Sequence, residues 1–211
     1  MPHGITLRLA AHRLKTKERR ALMHYGAIKK FDIANGEGIR VTLFVSGCRN
    51  RCEGCFQPET WAFDYGKPFD AAAKEEIFSA LKNPSVRGLT LLGGEPMEPE
   101  NQIELLPLLR EMKEKFPDKT VWLFTGNLYE ELTGKLGEHP KHTDVTEELL
   151  SYVDILVDGR FDKSRARLGL RFRGSDNQRI IDMKKTKTEG RVVIWDGVKE
   201  DKTYEKPRKT P

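Results

Sequence analysis

The sequence predicts an α/β fold: a partial (β/α) barrel of mostly parallel strands, with helices on the outer face. Three observations predict it. Short apolar, β-branched runs alternate with helical stretches, the pattern of βαβ units. The motifs with chemical character each follow directly on one of those runs, and ligands bind outside the carboxyl ends of parallel strands. Four or five such strands are too few for a closed eight-stranded barrel, so a partial barrel or an open curved sheet fits better.

The elements follow in order. Residues 41–46, Val-Thr-Leu-Phe-Val-Ser, read as a buried strand. Residues 70–81 are good helix formers with Ile77, Phe78 and Leu81 on one side and Asp70 as the N-cap. Residues 89–92 form a short strand ending at Gly93-Gly94. Residues 101–116 form a second helix through Leu105, Leu108, Leu109 and Met112, where Pro107 is expected to kink the helix or reset its start. A strand over 120–124 ends in the turn Thr125-Gly126-Asn127. A helix over 146–152 and a strand over 155–157 complete the set.

Composition bounds the rest. The chain has 211 residues, 37% of them apolar and 33% charged, which suits one soluble domain with a real core. The net charge of +5 is confined to residues 1–22, where Arg8, Arg13, Lys15, Lys17, Arg19 and Arg20 face Glu18 alone. The remainder is neutral, so the high pI is no argument for nucleic-acid binding. No apolar run approaches the roughly 18 residues needed to cross a bilayer. The expected organisation is a basic, disordered extension over 1–22, unless the chain starts at Met23, one compact domain over 23–197, and a disordered polar tail over 198–211.

All three cysteines, Cys48, Cys52 and Cys55, fall within eight residues, in the pattern C-x3-C-x2-C. A disulfide framework spreads an even number of cysteines through the chain. An odd, clustered set without an export signal reads as metal ligation in a reducing cytoplasm. Four-iron clusters usually take four ligands. Three would leave one iron open, as catalytic zinc sites keep an open position. Gly54 permits a tight turn, and Phe56 can shield the site or stack in it. The residues alone leave two alternatives open. One is a zinc site completed by His24, His139 or His142. The other is three free buried thiols.

C-x3-C-x2-C followed by an aromatic resembles the signature of radical S-adenosylmethionine enzymes, and Gly93-Gly94-Glu95-Pro96 resembles their GGEP motif. Residues 32–40 before the first strand and 58–61 after the cysteine loop are similar to glycyl-radical-enzyme activating proteins. The segments 157–161 and 173–179 resemble the activators of anaerobic ribonucleoside-triphosphate reductase. The resemblance covers roughly residues 23–183. Gln57 departs from it, standing where an asparagine is usual, as does the extension over 1–22, and the stretch 133–143 is a loop insertion relative to it.

The resemblance implies that Cys48, Cys52 and Cys55 bind a [4Fe-4S] cluster. It implies that S-adenosylmethionine chelates the open iron through its amino and carboxylate groups. Gly93, Gly94 and Glu95 would face the methionyl amino group, and Gly54, Cys55 and Phe56 the adenosyl part. One electron, from a low-potential donor such as a flavodoxin, would cleave the sulfonium bond, and the 5′-deoxyadenosyl radical would take a hydrogen atom from a glycine of the partner reductase subunit. No general base or nucleophile is required. The alternatives are activation of another glycyl radical enzyme, such as pyruvate formate-lyase, and a zinc-stabilised binding module without catalysis.

Other residues carry weaker expectations. Asp158, Arg160, Arg173, Ser175, Asn177 and Gln178 are candidates for partner docking or for shaping the open face, or else for a plain turn network. Thr125-Gly126-Asn127 reads as a strand-ending turn rather than a ribose contact. Trp61, Phe63 and Tyr65 read as core packing rather than as a stripe under the cysteine loop, and His139 and His142 as solvated loop residues.

Overall fold

A computed structural model describes residues 23–197. The expected extension and tail lie outside the described residues. Seven strands form one sheet: β1 (His24–Asp32), β2 (Ile39–Val45), β3 (Lys67–Pro68), β4 (Val86–Gly93), β5 (Thr120–Phe124), β6 (Ile155–Asp158) and β7 (Arg179–Asp182). Their order is β3-β1-β2-β4-β5-β6-β7. The pairs β2–β4, β4–β5 and β5–β6 are parallel. The pairs β1–β2, β1–β3 and β6–β7 are antiparallel. The α/β class is therefore as expected, but "mostly parallel" needs correction. The parallel strands are the central four, and both flanks are antiparallel. No pairing joins the edge strands β3 and β7, so the sheet is open.

The flanks escape a sequence reading for a physical reason. β1 carries exposed Lys29, Lys30 and Phe31 and buries little of its length. β7 is four residues long and bounded by Arg179 and Asp182. Neither shows the apolar run that betrays a strand buried on both faces.

The helices are α1 (Ala71–Leu81), α2 (Pro99–Lys115), α3 (Tyr129–Leu132), α4 (Thr146–Ser151) and α5 (Met183–Glu189). Asp70 caps α1 as expected, its carboxylate accepting from the Ala73 amide at 2.9 Å. Helix α2 neither stops nor restarts at Pro107. It runs unbroken over that residue, beginning instead at Pro99, where the missing N–H costs no hydrogen bond.

Side chains alternate across the central strands, and this alternation divides the molecule. Leu43, Leu91, Leu123, Leu156 and Ile181 are register partners in one row across five strands. All five are fully buried in the cluster that holds Ile77 and Leu81 of α1, Leu105 and Leu109 of α2 and Leu149 of α4. Burying each such side chain stabilises the fold by roughly 1.5–3 kcal/mol. The opposite parity, Thr42, Thr90, Trp122 and Ile155, forms a second row on the inner face. There Trp122 stacks edge-on against Phe172 and Trp195, each at 5.1 Å between centroids. These rings close the half of the inner face toward the amino ends of the parallel strands. Arg40, only 1% exposed, lies beneath them. Its guanidinium donates to Thr90 Oγ1 and to the carbonyls of Leu89 and Thr120, and it lies 5.5 Å from the Trp122 ring. Burial draws its pKa down to about 10, so it stays charged at neutral pH. No helix among the described residues is long and apolar enough to cross a membrane.

Candidate functional site

The other half of the inner face is open. Parallel pairing sends the carboxyl ends of β2, β4, β5 and β6 to the same edge. The loops that leave them carry Cys48, Gly94-Glu95, Thr125-Gly126-Asn127 and Gly159-Arg160. They enclose a cavity of about 570 Å³, a volume suited to a small-molecule cofactor. Cys48, Cys52 and Cys55 all line it, as do Phe56, Gly93, Gly94 and Glu95. Gly54, the remaining site residue expected from the sequence, makes the turn between Cys52 and Cys55 with φ +75°. The structure thus brings the expected set together around one space.

Local backbone geometry explains the glycine pair. Gly93 has φ +111°, and a Cβ there would lie 2.7 Å from the Val45 carbonyl oxygen. A Cβ on Gly94 would lie 2.7 Å from the Gly47 carbonyl oxygen. Without side chains, the two loops join directly. The Gly94 amide donates to Val45 O at 2.7 Å and the Glu95 amide to Gly47 O at 2.9 Å. The residue before Cys48 is thereby fixed by the end of β4.

Glu95 is buried and gathers the loops around it. Its Oε1 accepts from the Met97 amide at 2.9 Å. Its Oε2 accepts from Asn50 Nδ2 at 2.7 Å and from the Gly126 amide and Asn127 Nδ2, each at 2.9 Å. Three loops therefore meet on one carboxylate. Burial pushes that carboxyl above its ordinary range, against the lowering effect of the Met97 and Gly126 amides. Thr125-Gly126-Asn127 is a strand-ending turn, as expected, and Thr125 and Gly126 also line the cavity.

The cysteines differ among themselves. Cys48 is 8% exposed, while Cys52 and Cys55 are half-buried. Burial, with the nearby Glu95 carboxylate, pushes the Cys48 thiol up to about 11. Ligation must displace that proton. Arg51, between the first two cysteines, adopts left-handed backbone at φ +46°, a strain of about 1–2 kcal/mol held by the loop around it.

None of the histidines considered for zinc, His24, His139 and His142, lines the cavity with the three cysteines. Among the described residues no group of three His, Cys, Asp or Glu side chains converges on a single ion. His24, in β1, pairs with Pro68 of β3, and His142 Nδ1 is 2.7 Å from the Leu132 carbonyl oxygen. His142 is exposed, as expected, whereas His139 is half-buried with its Nδ1 accepting from the Lys141 amide. Three thiols spread around one cavity instead suit a polynuclear cluster, in which each cysteine binds its own iron. The residues fit that group.

Several other expectations change. Trp61, Phe63 and Tyr65 are not core. Trp61 lines the cavity, Phe63 lies 4.3 Å beneath the Arg49 guanidinium, and Tyr65 is 37% exposed. Aromatics on a loop beside a cavity have no second element to bury them. Phe56 is 87% exposed and pairs with Phe161 at 6.1 Å at the cavity mouth. Asp158, Ser175 and Gln178 belong to a turn network. Asp158 accepts from Arg179 and from the Tyr129 amide, Ser175 Oγ accepts from the Asp162 amide, and Gln178 Oε1 accepts from the Gly174 and Ser175 amides. Arg160 reaches the Asn50 carbonyl, and Asn177 donates to the Arg160 carbonyl at 2.7 Å. Arg173 lines the cavity with a buried Nε that has no partner. Sequence reasoning missed Glu98, Asn101 and Lys141, which anchor the cysteine loop from behind. The only signal for the first two was their place at the start of α2.

Comparison with known proteins agrees with this geometry. A family model for a 4Fe-4S single cluster domain matches residues 34–181. Over 160 residues, 75% of this chain and 96% of the relative, the sequence is 41% identical to the anaerobic ribonucleoside-triphosphate reductase-activating protein of Pasteurella multocida. It is 39% identical to the protein of that name from Enterobacteria phage T4 over 75% of this chain and 93% of the relative. The Escherichia coli K12 protein is 34% identical over 74% and 96%. With its cysteines, Gly93-Gly94 and Glu95 around one cavity, the chain belongs to the 4Fe-4S family of anaerobic ribonucleoside-triphosphate reductase-activating proteins.

Proposed function

We propose that this chain is a radical S-adenosylmethionine oxidoreductase that generates the glycyl radical of an anaerobic ribonucleoside-triphosphate reductase. The carrying observation is that the chain's only three cysteines line the same cavity as Gly93, Gly94 and Glu95. When bound, the cluster and S-adenosylmethionine supply the electron transfer and the organic radical; the protein supplies orientation and exclusion of water.

Cys48, Cys52 and Cys55 hold the cluster, and the absence of a fourth cysteine leaves one iron open to the cofactor. Gly93 and Gly94 let the backbone come close to the methionyl ammonium, for which Glu95 provides negative charge. Gly54, Cys55 and Phe56 would lie along the adenosyl part. Phe56 and Phe161 restrict water at the mouth. The open sheet, with its central strands wound in sequence order, serves as a partial barrel around this site. The reaction belongs in a reducing cytoplasm with a low-potential donor such as a flavodoxin.

The test mixes anaerobically reconstituted protein, S-adenosylmethionine and reductant with the reductase or with pyruvate formate-lyase. A glycyl radical signal in the reductase is expected. A signal in formate-lyase alone moves the assignment to that partner. Stoichiometric zinc without sulfide in anaerobically purified protein overturns the reading altogether.

A further inference from the structure

We propose that Glu98 and Lys141 are a positioning pair, which fixes the backbone beside Cys48 from behind the cluster site and sets the charge that the cluster feels. The proposal rests on ligation by Cys48, Cys52 and Cys55.

Glu98 sits at the N-terminal end of α2 and is fully buried. Its Oε1 accepts from the Arg49 amide at 2.7 Å, and its Oε2 from Arg49 Nη1 at 2.6 Å. The Arg49 amide is the first backbone group after Cys48. On the other side, Asn101, 1% exposed, donates to the Ser46 and Glu95 carbonyls, each at 2.9 Å. Cys48 is thus gripped on both sides by the first turn of one helix. The grip requires a carboxylate out of contact with water, and a buried carboxylate without compensation is costly.

Arg49 cannot supply that compensation alone. It belongs to the loop being held, its side chain is 54% exposed, and it shares its charge with Glu100. The missing charge comes from Lys141, 43 residues from Glu98 in sequence. Its ammonium pairs with Glu98 Oε1, and the residue is 6% exposed. The chain holds Lys141 in place independently of its charge. Its carbonyl accepts from Gln102 Nε2 at 2.8 Å and Thr146 Oγ1 at 3.1 Å. The stretch 133–143 therefore has a function beyond connection. It delivers one buried cation to the back of the cysteine loop.

A pair of this kind acts on the cluster in two separable ways. It holds the ligand, and it contributes charge, which tunes a cluster's potential along with hydrogen bonds and exposure. Removing a nearby cation makes an added electron less welcome. Removing a nearby anion does the opposite. A merely structural pair would damage loading in both cases, without opposite signs.

The experiment uses the full chain, before and after anaerobic cluster reconstitution, with Lys141→Met, Lys141→Arg, Glu98→Gln and the double variant Glu98→Gln/Lys141→Met. In the chain before reconstitution, alkylation by iodoacetamide is mapped by mass spectrometry. Cys48 is expected to react severalfold faster in Lys141→Met than in the parent, with Cys52 and Cys55 unchanged and Lys141→Arg restoring protection. In the reconstituted protein, the potential read by redox titration of the cluster's paramagnetic signal is expected to fall in Lys141→Met and rise in Glu98→Gln. The double variant buries no charge, so it keeps the test open if Lys141→Met fails to fold. It is expected to leave Cys48 more reactive than in the parent. Cys48 protection equal to the parent in the double variant, or potential shifts of the same sign in both single variants, overturns the proposal. The alkylation arm needs neither cluster nor reductase, so failure of the functional reading and failure of the pair are told apart.

Discussion

The two faces of one sheet solve different problems. The helix-side face is a continuous row of aliphatic side chains, Leu43 to Ile181, all fully buried. It holds no charge. The inner face, one residue out of phase on the same strands, mixes Thr42, Thr90 and Trp122 with a buried Arg40. It is closed by aromatic rings at one end and open around the cysteines at the other. Stability is concentrated on the first face and chemistry on the second. The helix side should respond to lost volume, and the open inner side to lost ligands, at little cost in folding.

Replacing Cys48, Cys52 or Cys55 by serine tests this most severely. Each variant is expected to lose the cluster's visible absorption and the glycyl radical signal completely. The thermal midpoint of the protein without cluster should stay within a few degrees of the parent. A large drop in that midpoint would show that the loop also supports the fold. Leu91→Ala makes the converse cut. It deletes an interior side chain of the aliphatic row and is expected to cost about 3–5 kcal/mol in denaturant unfolding. Cluster content per folded molecule should be unchanged.

The two faces were not equally legible in the sequence. Four of the five residues of the helix-side row, Leu43, Leu91, Leu123 and Leu156, emerge from the apolar runs at 41–46, 89–92, 120–124 and 155–157, because strands buried on both sides read as unbroken hydrophobic segments. Cys48, Cys52, Cys55 and the Gly93-Gly94-Glu95 turn were legible through spacing and position after strands. The supports of the site were not. Glu98, Asn101 and Lys141 look like ordinary surface residues of a helix start and a loop, and only the fold brings positions 49, 98 and 141 together. The antiparallel flanks were hidden by their charged, half-exposed composition. The aromatics at 61–65 were misjudged because hydrophobicity alone does not distinguish a core residue from the wall of a cavity.

Gly94→Ala probes the seam between the two regions. Its Cβ would press on the Gly47 and Thr60 carbonyl oxygens, at 2.7 and 3.0 Å. Neither is the free end of a side chain, so the β4 loop must move away from the cysteine loop. A stability loss of about 1–3 kcal/mol is expected, as for overpacking elsewhere. The effect on the site should be larger in kind. Binding of S-adenosylmethionine should weaken more than cluster content falls, since the cysteines stay on their own loop. Equal loss of both would mean that the two loops fold as one unit.

The smallest expected effect concerns the closing of the open side. Arg179, on β7, reaches across to Glu130 at 2.6 Å and to the buried Asp158 at 2.5 Å, tying β7 and α3 to the end of β6. The guanidinium holds the Glu130 carboxyl below its ordinary range. A carboxyl depressed in the folded state stabilises fully above its unfolded value, and that contribution is lost as pH falls through the folded one. Thermal midpoints of the parent should therefore decline on the acid side of about pH 4.5, the ordinary glutamate range. Glu130→Gln, which keeps the size and one acceptor, should lower the midpoint slightly at neutral pH and make the acid decline shallower. Because Glu130 is partly exposed, the difference at neutral pH should be on the order of 1 kcal/mol or less. The cluster signal should not change, since no cysteine contact passes through Glu130. An acid decline equally steep in Glu130→Gln would move its origin to other carboxylates and leave Asp158 as the partner that matters to Arg179.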